Sequence, residues 1–149
     1  MTSIAHATLA MERLYNASPQ RVFNAWADFE ARQRWSAPAE GIRIEYVEAD
    51  FSEGGRDVSR CIEAGNVDFI ATVNYLDIRK DSRIVFAEDV VHGNKRVSAA
   101  LVSVELVPQG DATRLLLTLQ IASFDEAGME SGYQFGWSSA LDNLAKEFA

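Results

Sequence analysis

Between Ile42 and Phe124 the chain offers six β-forming stretches with almost nothing between them: Ile42–Phe51, Arg56–Glu63, Val67–Ile78, Arg83–His92, Arg96–Val107 and Thr113–Phe124. The breaks fall at Gly54-Gly55, Gly65-Asn66, Lys80-Asp81, Gly93-Asn94 and Gln109-Gly110. Parallel neighbours need a crossover of a dozen or more residues, usually a helix. These connections are far too short, so the six stretches must run as an antiparallel meander. Gly93-Asn94 suits a two-residue hairpin, because glycine reaches positive φ without strain. Side-chain period two gives each strand an inner face. Val102, Val104 and Leu106 oppose Ser103 and Glu105, while Leu115, Leu117, Leu119 and Ile121 oppose Arg114, Thr118 and Gln120. One apolar and one polar side per strand means a sheet that covers a core on one face and meets water on the other.

What flanks the meander must supply that cover. A first strand is expected over residues 7–16. Ser18-Pro19 then reads as a helix start, a serine cap followed by proline where a missing N–H costs nothing. Val22, Phe23 and Trp26 give this helix an apolar face. Asp28 caps a second short helix, containing Phe29 and Arg32, that should end near Trp35 because Pro38 and Gly41 follow. The last segment, residues 127–148, carries Met129, Tyr133, Trp137, Leu141 and Leu144 at helical spacing. Beside them Gly132, Gly136 and Ala140 form a stripe of small residues. Glycine within a helix costs about 1 kcal/mol relative to alanine. The pair therefore implies either a closely packed strand or room for a ligand.

With 149 residues the chain fits one domain spanning 1–149, and 48% apolar residues suffice for a core. No apolar run approaches the ~20 residues of a membrane-spanning helix, and no secretory pattern opens the chain, so a cytoplasmic protein is expected. A net charge of −8 repels phosphate backbones and argues against nucleic acid as a partner. Cys61 is the single cysteine, and with only His6 and His92 beside it there is no metal-ligand spacing. No cofactor is called for. Phosphate loop, nucleophile elbow and His-Glu-x-x-His signatures are all missing.

In this order of elements the chain resembles the START-like (helix-grip, SRPBCC) superfamily, and within it the branch named for the activator of the heat-shock protein 90 ATPase. The carriers are Ser18-Pro19 with Val22-Phe23-Asn24-Ala25-Trp26-Ala27-Asp28, similar to the branch's "VFxAWxD" helix, then Arg34-Trp35 with Pro38 and Gly54-Gly55. Tyr75-Leu76-Asp77-Ile78, Arg83-Ile84-Val85-Phe86, Thr113-Arg114-Leu115, Gly132, Gly136-Trp137, Leu141 and Leu144 complete it. The turn Arg79-Lys80-Asp81-Ser82 departs from the pattern in lacking prolines, and the additional N-terminal domain of co-chaperone members is not expected here. The resemblance implies an α+β helix-grip fold: seven antiparallel strands curved around a long C-terminal helix, two short helices between strands one and two, and a cavity between sheet and helix. It carries no shared catalytic set, so it transfers a fold and not a reaction.

Trp35, Phe69, Tyr75, Phe86, Glu88, His92, Leu119, Tyr133 and Trp137 are the candidate cavity residues. If Phe86 points inward, parity turns Glu88 and His92 inward too, roughly 13 Å apart at ~3.3 Å per residue. That is too far for a direct hydrogen bond. A buried carboxylate there would have a raised pKa, so acid–base work is physically available. Two functions follow. One is a binding protein for a small hydrophobic molecule. The other is a cyclase- or hydrolase-like enzyme using Glu88 or His92 as acid or base. A chaperone-interacting module is a third expectation, resting on the family resemblance alone. An open sheet also leaves edges through which a homodimer could form.

Overall fold

The computed structural model describes residues 3–37 and 39–149; Pro38, read above as a helix stop, lies outside the described residues. The elements follow one another as β1 (Ile4–Tyr15), α1 (Pro19–Ala27), α2 (Phe29–Trp35), β2 (Ile42–Glu48), β3 (Arg56–Glu63), β4 (Asn66–Arg79), β5 (Arg83–His92), β6 (Lys95–Gln109), β7 (Ala112–Phe124) and α3 (Met129–Leu144). A single 3-10 turn, Ala145–Phe148, follows α3. The strands form one antiparallel sheet in the order β1-β7-β6-β5-β4-β3-β2. This is the helix-grip arrangement, with the two short helices between β1 and β2.

Local chemistry explains the boundaries. The Ser18 hydroxyl accepts from the Arg21 N–H, with Pro19 in the first turn of α1. Asp28 ends α1 through its own N–H and starts α2 by accepting from the Glu30 N–H. Gly93 takes φ +65° in the two-residue hairpin between β5 and β6. The hairpin between β3 and β4 differs from expectation by one residue: the turn occupies Ala64 and Gly65, and alanine adopts φ +53° beside the glycine. β1 starts three residues earlier than its alternation suggests, because pairing with β7 continues to Ile4 opposite Phe124.

The sheet bends where extra residues interrupt the pairing. Such steps fall between Tyr46 and Glu48 on β2 and between Tyr75 and Asp77 on β4, leaving Val47 and Leu76 exposed. Irregularities of this kind bend a strand and increase its twist. The concave side receives the helices, and α3 is fastened there by side chains. Tyr15 donates to the Leu141 carbonyl at 2.7 Å, and Arg13 reaches Asp142 at 3.1 Å and the Ser138 hydroxyl at 3.0 Å. Asn143 donates to the Ala37 carbonyl at 2.8 Å, tying α3 to the end of α2. The core is continuous, with Leu115, Leu117, Leu119, Val102, Val104, Leu141 and Leu144 fully enclosed. No helix among the described residues is long and apolar enough to cross a membrane.

Candidate functional site: a cleft under one half of the sheet

The two halves of the concave face are filled differently. Under β1, β7 and β6 the inner positions are large and aliphatic, and α1 and α3 close on them. Under β2 to β5 small residues interrupt the aromatic and aliphatic ones: Ser59 on β3 stands in register with Ala71 on β4, and Cys61 with Phe69. The result is a cleft of about 380 Å³ between this half of the sheet and the helices, toward the small end of the roughly 300–1,000 Å³ of ligand pockets. Its lining is mostly apolar and comes from β2, β3, β4 and β5, from Trp26 of α1, from the α2 end and from α3.

Seven of the nine residues singled out in the sequence line this cleft: Trp35, Phe69, Tyr75, Phe86, Glu88, Tyr133 and Trp137. Two do not, and each is a correction. Leu119 faces inward as parity requires, but β7 lies under the filled half, and Leu119 is packed between Leu9 and Val102 with no exposure. His92 stays on the same side of β5 as Glu88, yet it ends the strand, is exposed and stacks on Phe69 with ring centroids 4.7 Å apart. Trp35 is core as well as lining: its indole N–H donates to the Ala25 carbonyl at 2.9 Å.

Gly132 and Gly136 also line the cleft, and a Cβ built on either meets nothing within 4 Å. No strand backbone approaches them. Of the two readings of the small stripe, the space is what these glycines leave. On the same helix face Trp137 is wedged between Trp26, stacked at 5.9 Å, and Phe86 at 6.2 Å. Phe135, largely exposed, stands at the edge of the lining.

A buried ionic network forms one end of the cleft. The Arg32 guanidinium meets Asp57 at 3.2 Å, both side chains being about 95% enclosed, and donates to the carbonyls of Trp26 and Ala27 at 2.7 and 3.2 Å. Asp57 also accepts from the Tyr75 hydroxyl at 2.6 Å and from the Asp50 N–H at 2.8 Å. Asp50 is placed by a tight loop in which a Cβ on Gly55 would run into the Asp50 carbonyl, so that position requires glycine. The Arg32 charge lies over the rings of Tyr46 and Phe51. Burial pushes the Tyr75 phenol up, opposed by Arg32 and reinforced by Asp57. Sequence reasoning missed Arg32 and Asp57, whose pairing joins a helix to a strand 25 positions later. The signal available was the parity of Asp57 with Ser59 and Cys61.

Glu88 is the contrasting acid. Its side chain is half-buried and lines the cleft. It makes no hydrogen bond or ion pair among the described residues. Burial, with a smaller contribution from Asp89, pushes its pKa up to about 7. Its charge reaches Tyr46 and Tyr133 and adds to the burial that raises both phenols. The Tyr133 hydroxyl is already engaged with the Ser98 hydroxyl at 2.9 Å. Arg60, by contrast, points away to an exposed pair with Glu45.

A second depression, about 670 Å³, lies on the outer face between His6, Thr8, Asn74, Asp89, Leu101 and Gln120. It is an open trough over small side chains such as Ala87 and Ala99, and it lacks the aromatic walls of the inner cleft.

Comparison with known proteins bears on the whole chain. Residues 16–149 match the family model described as Activator of Hsp90 ATPase homolog 1-like protein. Among solved structures, the Mll3558 protein of Rhizobium loti is 39% identical, with a TM-score of 0.88 over 98% of this chain and 99% of that one. An uncharacterized protein of Rhizobium leguminosarum is 28% identical, with a TM-score of 0.88 over 98% and 96%. Protein CV1439 of Chromobacterium violaceum, at 24% identity and a TM-score of 0.82 over 95% and 96%, shares the fold. No curated protein matches.

Proposed function

The chain belongs to the family of Activator of Hsp90 ATPase homolog 1-like proteins, and on that premise we propose that it binds a small apolar molecule in the cleft between β2–β5 and α3. One observation carries the reading: Gly132 and Gly136 stand over unfilled space on the helix that grips the sheet. Burying apolar surface is favourable by about 25 cal/mol per Å², so a cleft walled by Trp137, Phe86, Tyr133 and Phe69 rewards an apolar guest. Two mid-helix glycines cost about 1 kcal/mol each, a cost that open space for a ligand accounts for and close packing does not.

The test is a titration with the fluorescent probe N-phenyl-1-naphthylamine, comparing the native chain with Gly136→Leu. A leucine side chain there occupies the cleft without touching the sheet–helix fastenings at Tyr15 and Arg13. Saturable binding that disappears in the variant supports the reading. No binding by the native chain, or equal binding by both, contradicts it.

Acid–base catalysis by Glu88 is the second reading, favoured by a carboxyl pushed up to about 7 inside a cleft. It needs a reacting group supplied by the substrate, since no group among the described residues pairs with Glu88. Turnover abolished by Glu88→Gln with binding retained would separate catalysis from simple binding.

A further inference from the structure

Four charged groups line the cleft, and they are not equivalent: Glu63 is exposed to solvent, whereas Arg32, Asp57 and Glu88 are buried or half-buried. Arg32 and Asp57 neutralise each other across 3.2 Å, and Asp57 spends its remaining oxygen capacity on Tyr75 and Asp50. Of the three withdrawn from solvent, Glu88 alone has no hydrogen bond or ion pair among the described residues. It stands mid-sheet between Val73 and Ala100, neither of which offers a polar side chain. A carboxylate taken out of water without a counter-charge is held at a cost, and a group that supplies the missing positive charge is bound with the cost removed. The surroundings fit a cation and not an anion. Phe86 is the next inward residue on β5, Tyr133 and Trp137 close the space from α3, and aromatic faces attract positive charge. No lysine among the described residues lines the cleft, and the chain carries a net charge of −8, which draws cations toward it.

We propose that the cleft selects apolar amines: the ligand's protonated nitrogen pairs with the Glu88 carboxylate, and its hydrocarbon or aromatic body lies against Phe86, Tyr133 and Trp137. The proposal rests on the binding reading above and names the chemical class that reading leaves open. Because the Glu88 carboxyl titrates near neutrality, it is ionised at mildly alkaline pH, where simple aliphatic amines are still protonated.

The experiment compares three probes of one size at pH 8 by isothermal titration and tryptophan fluorescence: 1-naphthylmethylamine, 1-naphthalenemethanol and 1-naphthoate. The native chain is expected to bind the amine about 10- to 100-fold more tightly than the alcohol, the range of a charge-assisted hydrogen bond, and the naphthoate most weakly. In Glu88→Gln, whose fold is checked by circular dichroism, the amine's preference over the alcohol falls to parity. Equal binding of amine and alcohol by the native chain, or tighter naphthoate binding, overturns the amine inference and leaves the binding reading standing. Failure of all three probes overturns both. A preference for the amine that survives Glu88→Gln overturns the role of Glu88.

Discussion

Replacing Glu88 by glutamine removes a half-buried carboxyl that no counter-charge among the described residues balances, and its effect on stability has a definite sign. The Glu88 carboxyl stands at about 7 in the folded protein against an ordinary value of 4.5. Below 4.5 folded and unfolded chains are both protonated there, and the group is neutral to stability. Between 4.5 and 7 the unfolded chain releases the proton and the folded chain keeps it, so stability falls as pH rises through that window. Above 7 the full penalty is in place. At about 1.4 kcal/mol per pH unit, the difference amounts to about 3 kcal/mol. Glu88→Gln keeps the shape and removes the charge, so the variant minus native difference in unfolding free energy should be flat below pH 4.5, climb by about 3 kcal/mol in the variant's favour, and be flat again above 7. Taking the difference isolates Glu88 from Glu45 and Asp77, whose arginine partners hold them low and whose contributions are common to both chains. Urea unfolding followed by tryptophan fluorescence from pH 4 to 8 measures it. Parallel curves for variant and native chain would refute the argument that an uncompensated carboxylate sits in the cleft.

Other outcomes follow from the same packing. Asp57→Ala strands the Arg32 charge inside the protein and should cost about 3–5 kcal/mol, read by urea unfolding at neutral pH; a loss under 1 kcal/mol would mean that Arg32 reaches water. Gly136→Ala places a methyl group in open space on a helix and should stabilise by about 0.5–1 kcal/mol, whereas destabilisation in thermal melts would reveal a close contact there. Leu119→Ala, in the filled half, should cost about 2–5 kcal/mol yet leave probe affinity in the cleft unchanged, which a titration below the melting range decides.

The sheet, its order and the gripping helix were legible because their signals are local. Alternation in Leu115 to Ile121 and short connections such as Gly93-Asn94 are properties of neighbouring residues. The cleft was legible only by face. Parity with Phe86 put Glu88 on the inner side correctly. Parity put Leu119 and His92 there too, but it carries no information about which half of the sheet the helices leave uncovered. That depends on which side chains register brings together, such as Ser59 beside Ala71 on one half and Leu119 beside Val102 on the other. The Arg32–Asp57 pair was illegible for a related reason. Each residue alone reads as a solvated charge, and only the packing of α2 at the β2 edge of the sheet brings them within 3.2 Å. The small stripe on α3 could be read either way from sequence, since helical spacing shows which residues share a face but not what lies opposite.

The central claim is that the inner cleft takes an apolar guest, and amide chemical-shift mapping with 1-naphthalenemethanol tests it most directly. Titrated into uniformly 15N-labelled protein, the probe should shift amides around Ser59, Ala71, Phe86, Gly132 and Gly136 in a saturable way and leave those around His6, Ala99 and Gln120 in place. Shifts confined to the outer trough, or none at concentrations up to the probe's solubility, would contradict the account.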